Sequence, residues 1–165
     1  MSEALNIYSF NVRGLGDKYK REAVFSWLKS KGPGIHLIQE SHSVSATERQ
    51  WKSQWGGRIY FSHGTSNSKG AAILISPQLD ITVQNSKVDS CGRVVMLECN
   101  FNGNKYIITN IYAPTIDKTQ DQKAFGEYLL KLLQDYKGEN IIIGGDFNIN
   151  IECIDNQSAN QTKKI

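Results

Sequence analysis

An acidic and an amide side chain lie two residues apart near the end of the chain. Asp146 and Asn148 directly follow the glycine pair Gly144 and Gly145. Before the glycines, the three isoleucines at residues 141–143 predict a short strand buried on both faces. The glycines are expected to break that strand and to let a ligand approach the backbone closely. Carboxylate and amide groups there suit a hard divalent cation or a phosphate, although the same residue types also form ordinary turns.

Two more polar side chains follow predicted strands early in the chain. Residues 5–12 form an apolar and aromatic strand, and a glycine-punctuated loop begins around Asn11. Residues 35–39 predict a second short apolar strand, which ends at Glu40. Taken singly, neither side chain indicates a functional site. An acidic residue after a strand is usually exposed to solvent, and a single asparagine in a loop is equally common.

The same arrangement occurs twice along the sequence. Asn11 is followed by a helix and then by a strand that ends at Glu40, while Asn110 and Tyr112 are followed by a helix and a strand that ends at Asp146. A helix that returns the chain to a new strand covers the outer face of a sheet. Two such sheets packed face to face would bring the polar strand ends to one edge. Chance is the alternative, because strand–helix–strand units are common.

The elements around these strand ends can be placed from periodicity and turn signals. Residues 18–30 predict a helix whose apolar face has Tyr19, Ala23 and Trp27, with Val24 and Leu28 beside them. Serine or threonine followed three residues later by glutamate or glutamine, at 45–48 and 119–122, predicts capping boxes that open two further helices.

The second helix has two tryptophans, Trp51 and Trp55, whose spacing predicts core packing. The dipeptide Asn102-Gly103 predicts a hairpin between two apolar strands, so the middle of the chain is expected to be antiparallel. The basic residues of the first helix are expected on a solvated face rather than on a nucleic-acid backbone; they are Lys18, Lys20 and Arg21.

Composition limits the class of protein. The chain has 165 residues, 39% of them hydrophobic, which is enough for one domain with a real core. Its net charge of +3 is compatible with a polyanionic partner without requiring one. Residues 1–10 lack the pattern of a signal peptide and no apolar run is long enough to span a membrane, so a nuclear or cytoplasmic protein is expected.

The cysteines and histidines do not form a recognisable metal motif. The three cysteines show no paired spacing, which argues against a disulfide framework or a zinc cluster, and each is expected to be buried and free; they are Cys91, Cys99 and Cys153. The histidines, His36, His42 and His63, share no ligand spacing, and His36 within a strand is expected in the core.

Four sequence blocks together indicate a family. In order, they are SFNVRGL, LIQE, NIYAP and GGDFN, and they resemble the endonuclease/exonuclease/phosphatase superfamily. The chain is most similar to the apurinic-type endonuclease domain that opens the polyprotein of LINE-type non-LTR retrotransposons. The resemblance implies a domain over residues 1–155, followed by a polar tail at 156–165. The implied fold is a four-layered α/β sandwich, with two mixed sheets packed face to face and helices outside, incomplete at its C-terminus.

The resemblance also implies roles for individual residues. Family members hydrolyse phosphodiesters with Mg²⁺ or Mn²⁺, so Glu40 would be the principal metal ligand and Asn11 would help to hold the metal or the scissile phosphate. Tyr112 would hydrogen-bond the phosphate, and Asn148 would contact the phosphate and stabilise its developing charge. Asp146 would orient or deprotonate the attacking water.

One further basic residue is ambiguous. Arg13 follows Asn11 in the first block, where it is equally a phosphate contact or an exposed charge.

The implied activity is nicking of a DNA strand, which leaves a 3′-hydroxyl, by a domain of a longer polyprotein. Family members have a late aspartate and a closing Ser-Asp-His, and no Asp-His pair follows Asn148 here. The alternative is therefore an inactive fragment or pseudoenzyme that binds metal or nucleic acid without cutting. A repair nuclease or a lipid or inositol phosphatase is a further alternative within the same superfamily.

Overall fold

Two four-stranded sheets form the centre of the molecule. A computed structural model describes residues 4–115 and 117–149. The strands are β1 Ile7–Asn11, β2 Ile35–Gln39, β3 Arg58–Ser62, β4 Ala71–Ile75, β5 Thr82–Val88, β6 Val94–Phe101, β7 Asn104–Tyr112 and β8 Asn140–Asp146. Their order is β1-β2-β4-β3 in one sheet and β5-β6-β7-β8 in the other. Each sheet is mixed, because β1–β2 and β7–β8 are parallel and the other pairs are antiparallel.

Helices cover the outer faces of both sheets. They are α1 Lys18–Lys29, α2 Glu48–Trp55 and α3 Thr119–Leu133, with 3₁₀ turns at Ser45–Thr47 and Gln134–Tyr136. The first two helices pack on the sheet of β1 to β4, and α3 with the second 3₁₀ turn packs on the other. The four-layered α/β sandwich expected from the family resemblance is therefore confirmed within the described residues.

The main core lies between the sheets, where inward-facing aliphatic side chains of β2, β4, β6 and β7 are fully buried; they include Leu37, Ile73, Val95, Leu97 and Ile108. A second core lies under α1 and α2. There Trp51 and Trp55 are buried and meet Phe25 edge-on, at ring-centroid distances of 5.7 and 5.4 Å. The predicted core packing of the two tryptophans is confirmed.

The first helix presents only part of its predicted apolar face to the sheet: Leu28 is buried as predicted, and Val24 packs beside it, but Tyr19 and Trp27 do not face inward. Phe25 and Leu28 are buried, whereas Tyr19 is 75% exposed and Trp27 is 44% exposed. Trp27 lies at the rim of the layer, where its ring contacts Phe10 at 5.0 Å. The helical period alone does not decide which of two partly apolar stripes faces inward.

Arg21, which was expected on the solvated face of α1, is buried instead. Its guanidinium donates to the carbonyl oxygens of Leu15 and Gly16 at 2.8 and 3.2 Å and lies 5.1 Å from the ring of Trp51. The expectation that Arg21 is solvated was wrong. Hydrogen bonds to the loop carbonyls and the cation–π contact with Trp51 replace the hydration that the guanidinium loses on burial.

The two capping boxes do not form among the described residues. Ser45 lies inside the 3₁₀ turn, and α2 begins after Thr47, whose hydroxyl donates backwards to the carbonyl of Val44 at 3.0 Å. Thr119 is already the first residue of α3. Because both hydroxyl residues lie within a helical turn rather than before it, their side chains are not in the N-cap position.

The strand β8 is less buried than its isoleucines predict. Ile141 and Ile143 are 38% and 36% exposed, so the prediction of burial on both faces is wrong. The reason is position, since β8 is the last strand of its sheet and no side chain of α3 is fully buried against that face. In the other sheet, the edge strand β1 likewise exposes Phe10, by 42%.

The glycine pair of β8 does not break the strand, contrary to expectation, because β8 continues through both residues to Asp146. A Cβ on Gly144 would lie 2.6 Å from Cδ1 of Leu37, and Gly145, at φ +138°, approaches the backbone of Ile111 closely. The two positions therefore admit close packing against the facing sheet and the neighbouring strand, rather than a chain break.

The hairpin between β6 and β7 is confirmed. Asn102 and Gly103 both have positive φ, 49° and 78°, as a two-residue turn of this kind requires.

Of the cysteines, Cys99 is buried as expected, Cys91 is exposed because it lies in the β5–β6 loop, and Cys153 lies outside the described residues.

His36 is a core residue, as its place in a strand predicts. It is 0% exposed, stacks on Tyr8 at 5.0 Å and meets Trp55 edge-on at 5.3 Å. Burial lowers the pKa of His36 to about 4 from 6.5. The folded protein therefore keeps this imidazole neutral at pH values where the unfolded chain protonates it.

Acid is expected to destabilise the fold through His36. Stability from this residue is complete above pH 6.5 and is lost as the pH falls towards 4, because the unfolded state then binds the additional proton. The free energy of unfolding should fall by about 2 kcal/mol between pH 7 and pH 5. Urea titrations at both pH values test this. His36→Phe should remove most of the fall, the half-exposed His42→Gln should keep it, and an equal fall in His36→Phe would contradict the assignment.

Candidate active site

The carboxyl ends of four strands meet at one edge of the sandwich. Asn11 ends β1, Tyr112 ends β7 and Asp146 ends β8, while Glu40 directly follows β2. Parallel pairing places Asn11 beside Gln39 and Tyr112 beside Asp146. The two parallel pairs, one from each sheet, therefore bring the candidate residues of both halves of the sequence to the same place.

The side chains at this edge form one hydrogen-bonded network. The Asn11 amide nitrogen donates to Oε1 of Glu40 at 2.9 Å and to Oδ2 of Asp146 at 3.0 Å. The Tyr112 hydroxyl donates to the same Glu40 oxygen at 3.1 Å. All four side chains are half-buried. Two carboxylates thus share one amide donor at an accessible, partly desolvated position.

Asn148 adjoins the network through Asp146. Its backbone N–H donates to Oδ1 of Asp146 at 3.0 Å, and its side-chain nitrogen donates to the carbonyl of Ala113 at 2.8 Å. From α3, the Gln122 side chain donates to the backbone carbonyl of Asn148 at 3.1 Å. The loop after β8 is therefore tied to the end of β7 and to the helix.

Arg13 lies at the rim with an exposed side chain. Its backbone N–H donates to Oδ1 of Asn11 at 3.1 Å, and its carbonyl accepts from the Lys20 ammonium at 2.8 Å. The backbone of Arg13 thus orients the amide of Asn11.

The loops that follow β1 and β2 are bound to each other and to the end of the loop before β4. Gly14 N–H donates to the carbonyl of Glu40 at 2.6 Å, and His42 N–H donates to that of Lys69 at 2.9 Å. A Cβ on Gly14 would lie 2.7 Å from Nδ1 of His42, so glycine is needed for this approach. Backbone hydrogen bonds therefore join the loops around Glu40 to one another.

Left-handed backbone conformations are concentrated in these loops. Among the described residues, six non-glycine residues have positive φ, and one of them, Asn102, lies in the hairpin turn. The other five lie in the loops at the candidate site: Arg13, Glu40, His42, Lys69 and Asn148. Such conformations cost free energy and persist where surrounding contacts enforce them, which is typical of functional sites.

A buried polar clamp lies directly beneath the network. The Asn110 side chain donates to the carbonyls of Ile38 and Ala72, both at 2.9 Å, and accepts from the Gln39 side chain at 2.7 Å. Both amide residues are buried. The clamp joins the two sheets one residue before Glu40 and two residues before Tyr112, and so fixes the spacing of those side chains. Asn110 belongs to the repeated sequence pattern, whereas no role was predicted for Gln39.

Arg93 is a second residue that the sequence analysis missed. Its guanidinium donates to the carbonyl of Tyr112 at 2.9 Å and lies 5.3 Å from the tyrosine ring. The register of the predicted hairpin could have identified this residue, because pairing of Val94 with Ile111 places Arg93 beside Tyr112. Burial, and then the charge of Glu40, raise the pKa of the Tyr112 phenol, which keeps it a hydrogen-bond donor.

A cationic cleft adjoins the network. It has a volume of about 340 Å³, and Glu40 and Tyr112 form part of its wall. Three basic side chains also line it: Lys69, Arg93 and Lys118. An anion that enters this cleft meets positive charge beside the Glu40 carboxylate.

The donor set fits a hard divalent ion. Among residues 4–115 and 117–149, no three side chains of His, Cys, Asp or Glu cluster as metal ligands. Glu40 and Asp146 nevertheless present two carboxylates beside the amide of Asn11. Mg²⁺ commonly uses one or two carboxylates and keeps several waters for exchange with phosphate oxygens, so this set is sufficient for it.

These features agree with the comparisons with known proteins. The family model described as "Endonuclease/Exonuclease/phosphatase family" matches residues 5–164, and the chain belongs to this family. The family's members are hydrolytic nucleases and phosphodiesterases.

Among individual proteins, the chain is similar to the "Transposon TX1 uncharacterized 149 kDa protein" of Xenopus laevis, with 30% identity over 154 residues. That match covers 92% of this chain and 12% of the relative, so the chain spans about an eighth of that protein.

Solved structures show the same fold. D. rerio TDP2 complexed with single-strand DNA product gives a TM-score of 0.69 at 18% identity, with 93% of this chain and 64% of that chain covered. An AP endonuclease from Archaeoglobus fulgidus gives 0.64 at 25% identity, with 88% and 58% covered. In the part of the chain that is described, no helix is long and apolar enough to cross a membrane.

Proposed function

We propose that this chain is a Mg²⁺-dependent endonuclease domain that nicks DNA, of the type found in LINE-like retrotransposons. The observation that carries the proposal is the joining of Glu40 and Asp146 by the Asn11 amide, beside the Tyr112 hydroxyl. Membership of the family supports phosphodiester hydrolysis. The names of the relatives, a transposon protein, an AP endonuclease and a DNA-complexed TDP2, support DNA as the substrate and a longer polyprotein as the context.

The network suggests different roles for the two carboxylates, metal binding for Glu40 and activation of water for Asp146. Glu40, with Asn11, would hold Mg²⁺ (or Mn²⁺), which supplies Lewis-acid stabilisation of the phosphate when bound. Asp146 accepts hydrogen bonds from Asn11 and Asn148, and a carboxylate has further lone pairs with which to orient and deprotonate an attacking water.

Neutral donors and the rim arginine would bind the scissile phosphate. The Tyr112 hydroxyl, kept protonated by its raised pKa, would turn its single hydrogen from Glu40 to a phosphate oxygen when the substrate binds. Asn148 uses one amide hydrogen on Ala113, and the second hydrogen of its NH₂ group is directed to the phosphate as charge develops. Arg13, exposed at the rim, contacts a phosphate of the same strand.

Nicking of a supercoiled plasmid tests the proposal. We expect the chain to convert supercoiled to open-circular DNA with Mg²⁺, and chelator to abolish the conversion. Asp146→Asn should lower the rate at least a hundredfold, the scale of general-base catalysis. Asp80→Asn should have no effect, because Asp80 is exposed after the far end of β4. A folded protein that binds the plasmid without nicking it would favour the alternative, a module that binds nucleic acid without cutting.

A further inference from the structure

A second cavity opens beside the cationic cleft, between α3 and the loop that joins β5 to β6. Its volume is about 470 Å³, within the range of about 300–1,000 Å³ that is usual for small-molecule pockets. Phe125 and Tyr128 of α3, with Pro114, give it an apolar and aromatic wall. Nothing in the proposed hydrolysis uses these residues.

The cavity shares two basic residues of its wall with the cationic cleft of the candidate site. Lys69 and Arg93 line both this cavity and the cleft whose wall includes Glu40. From Glu40 outwards, the order of groups is therefore a carboxylate, then two cations, then an aromatic wall. A nucleic-acid strand presents the matching order of groups, because each phosphate is followed by a sugar and a base.

The cationic boundary is held in place by backbone contacts. His42 N–H donates to the carbonyl of Lys69, and Arg93 N–H donates to the carboxylate of Asp89 at 3.0 Å. Two acids, Asp89 and Asp121, also line the cavity. The Asp89 carboxylate is held against the loop backbone, where it accepts from the Cys91 and Val94 N–H groups at 3.1 and 2.8 Å. The positive charge that attracts a phosphate comes from Lys69 and Arg93, which line both this cavity and the cationic cleft.

The aromatic wall is accessible. Tyr128 is 41% exposed on α3, and Phe125 beside it is half-buried. Aromatic rings beside cations bind bases by stacking with little regard to sequence, since every base has a π-face. A base that is paired and stacked within a duplex cannot enter such a cavity, whereas an unpaired base can.

We propose that the cavity walled by Phe125 and Tyr128 binds an unpaired nucleobase of the strand whose phosphate lies on Lys69 and Arg93. This inference rests on the proposed function, because it takes DNA as the ligand of the adjoining cleft. Its consequence is a preference for single-stranded, mismatched or locally opened DNA over a regular duplex.

Binding measured in chelator tests the proposal without requiring cleavage. The probes are a fluorescein-labelled single-stranded oligonucleotide and the same sequence as a duplex, followed by anisotropy at low salt. Tyr128→Ala should weaken single-strand binding about tenfold, the scale of one stacked base. Tyr128→Phe should keep the wild-type affinity, because stacking does not need the hydroxyl. Tyr19→Ala, at a tyrosine of α1 that is 75% exposed, is the matched control and should bind normally.

The base itself is tested by placing one abasic nucleotide at each position of the oligonucleotide in turn. At one position the abasic substitution should weaken wild-type binding about tenfold and leave Tyr128→Ala binding unchanged. Equal single-strand affinity of Tyr128→Ala and wild type would overturn the proposal, as would loss of binding in Tyr128→Phe or an effect shared equally with the duplex. Plasmid nicking without this dependence would leave the proposed endonuclease standing and remove only the base site.

Discussion

Replacement of Glu40 by glutamine is expected to lower the rate of Mg²⁺-dependent nicking about a thousandfold. The Glu40 carboxylate is held in place by hydrogen bonds from Asn11 and Tyr112, which are neutral donors. The negative charge that would attract a divalent ion therefore comes largely from Glu40 itself. A metal acting as a Lewis acid contributes several kcal/mol of transition-state stabilisation, and each 1.36 kcal/mol corresponds to about a factor of ten in rate. Glutamine keeps an acceptor oxygen for both donors, so the fold should be retained.

Titration of nicking rate against Mg²⁺ concentration measures the effect. Glu40→Gln should require a higher Mg²⁺ concentration for half-maximal rate as well as show a lower maximum. The matched control is Glu127→Gln, an exposed glutamate of α3, which should behave as wild type. If Glu40→Gln nicked at the wild-type rate with unchanged metal dependence, the assignment of Glu40 as metal ligand would be wrong.

Replacement of Asn110 by leucine is expected to destabilise the fold by about 3 kcal/mol. The substitution keeps the approximate size of the side chain but leaves two buried strand carbonyls without this donor. It also removes the 2.7 Å acceptor of the Gln39 amide, which keeps the Ser9 hydroxyl and the Leu37 carbonyl at 3.2 and 3.1 Å. Each buried polar group that loses its partner costs about 1–3 kcal/mol. The effect is large because one side chain bonds three residues of the facing sheet.

Urea unfolding at pH 7 gives the measurement. Asn85→Leu is the control, because Asn85 is exposed on β5, and its two side-chain hydrogen bonds, to Glu98 at 3.0 Å and from the Ser86 N–H at 2.8 Å, are exposed as well. That change should cost about 1 kcal/mol or less. A loss below 1 kcal/mol in Asn110→Leu would show that the clamp does not hold the sheets together.

The parts of this molecule that the sequence predicts best are those fixed by local rules. The hairpin at Asn102-Gly103 follows from turn geometry, and the burial of Trp51 and Trp55 follows from helical spacing and size. Convergence of the strand ends at Asn11 and Asp146 was predictable from the repeated strand–helix–strand pattern, because that pattern also implies which ends meet.

The errors have a common physical cause, which is that burial is set by neighbours rather than by residue type. Arg21 is buried because carbonyls of a loop that precedes α1 accept its hydrogen bonds. Ile141 and Ile143 are exposed because β8 lies at a sheet edge. Lys69 and Arg93 come together only after two loops pack against each other, and no periodicity within either loop signals that contact.

The left-handed residues around the site have a consequence for how the molecule responds to its ligands. A non-glycine residue in this conformation costs on the order of 1 kcal/mol, so five of them oppose folding by about as much as a small domain's whole net stability. Two docked sheets sustain that cost. A metal ion and a phosphate that bind the folded state at this edge would raise the free energy of unfolding and so offset part of this conformational cost. We therefore expect the loops at this end of the sandwich to become more stable when a metal ion and a phosphate are bound.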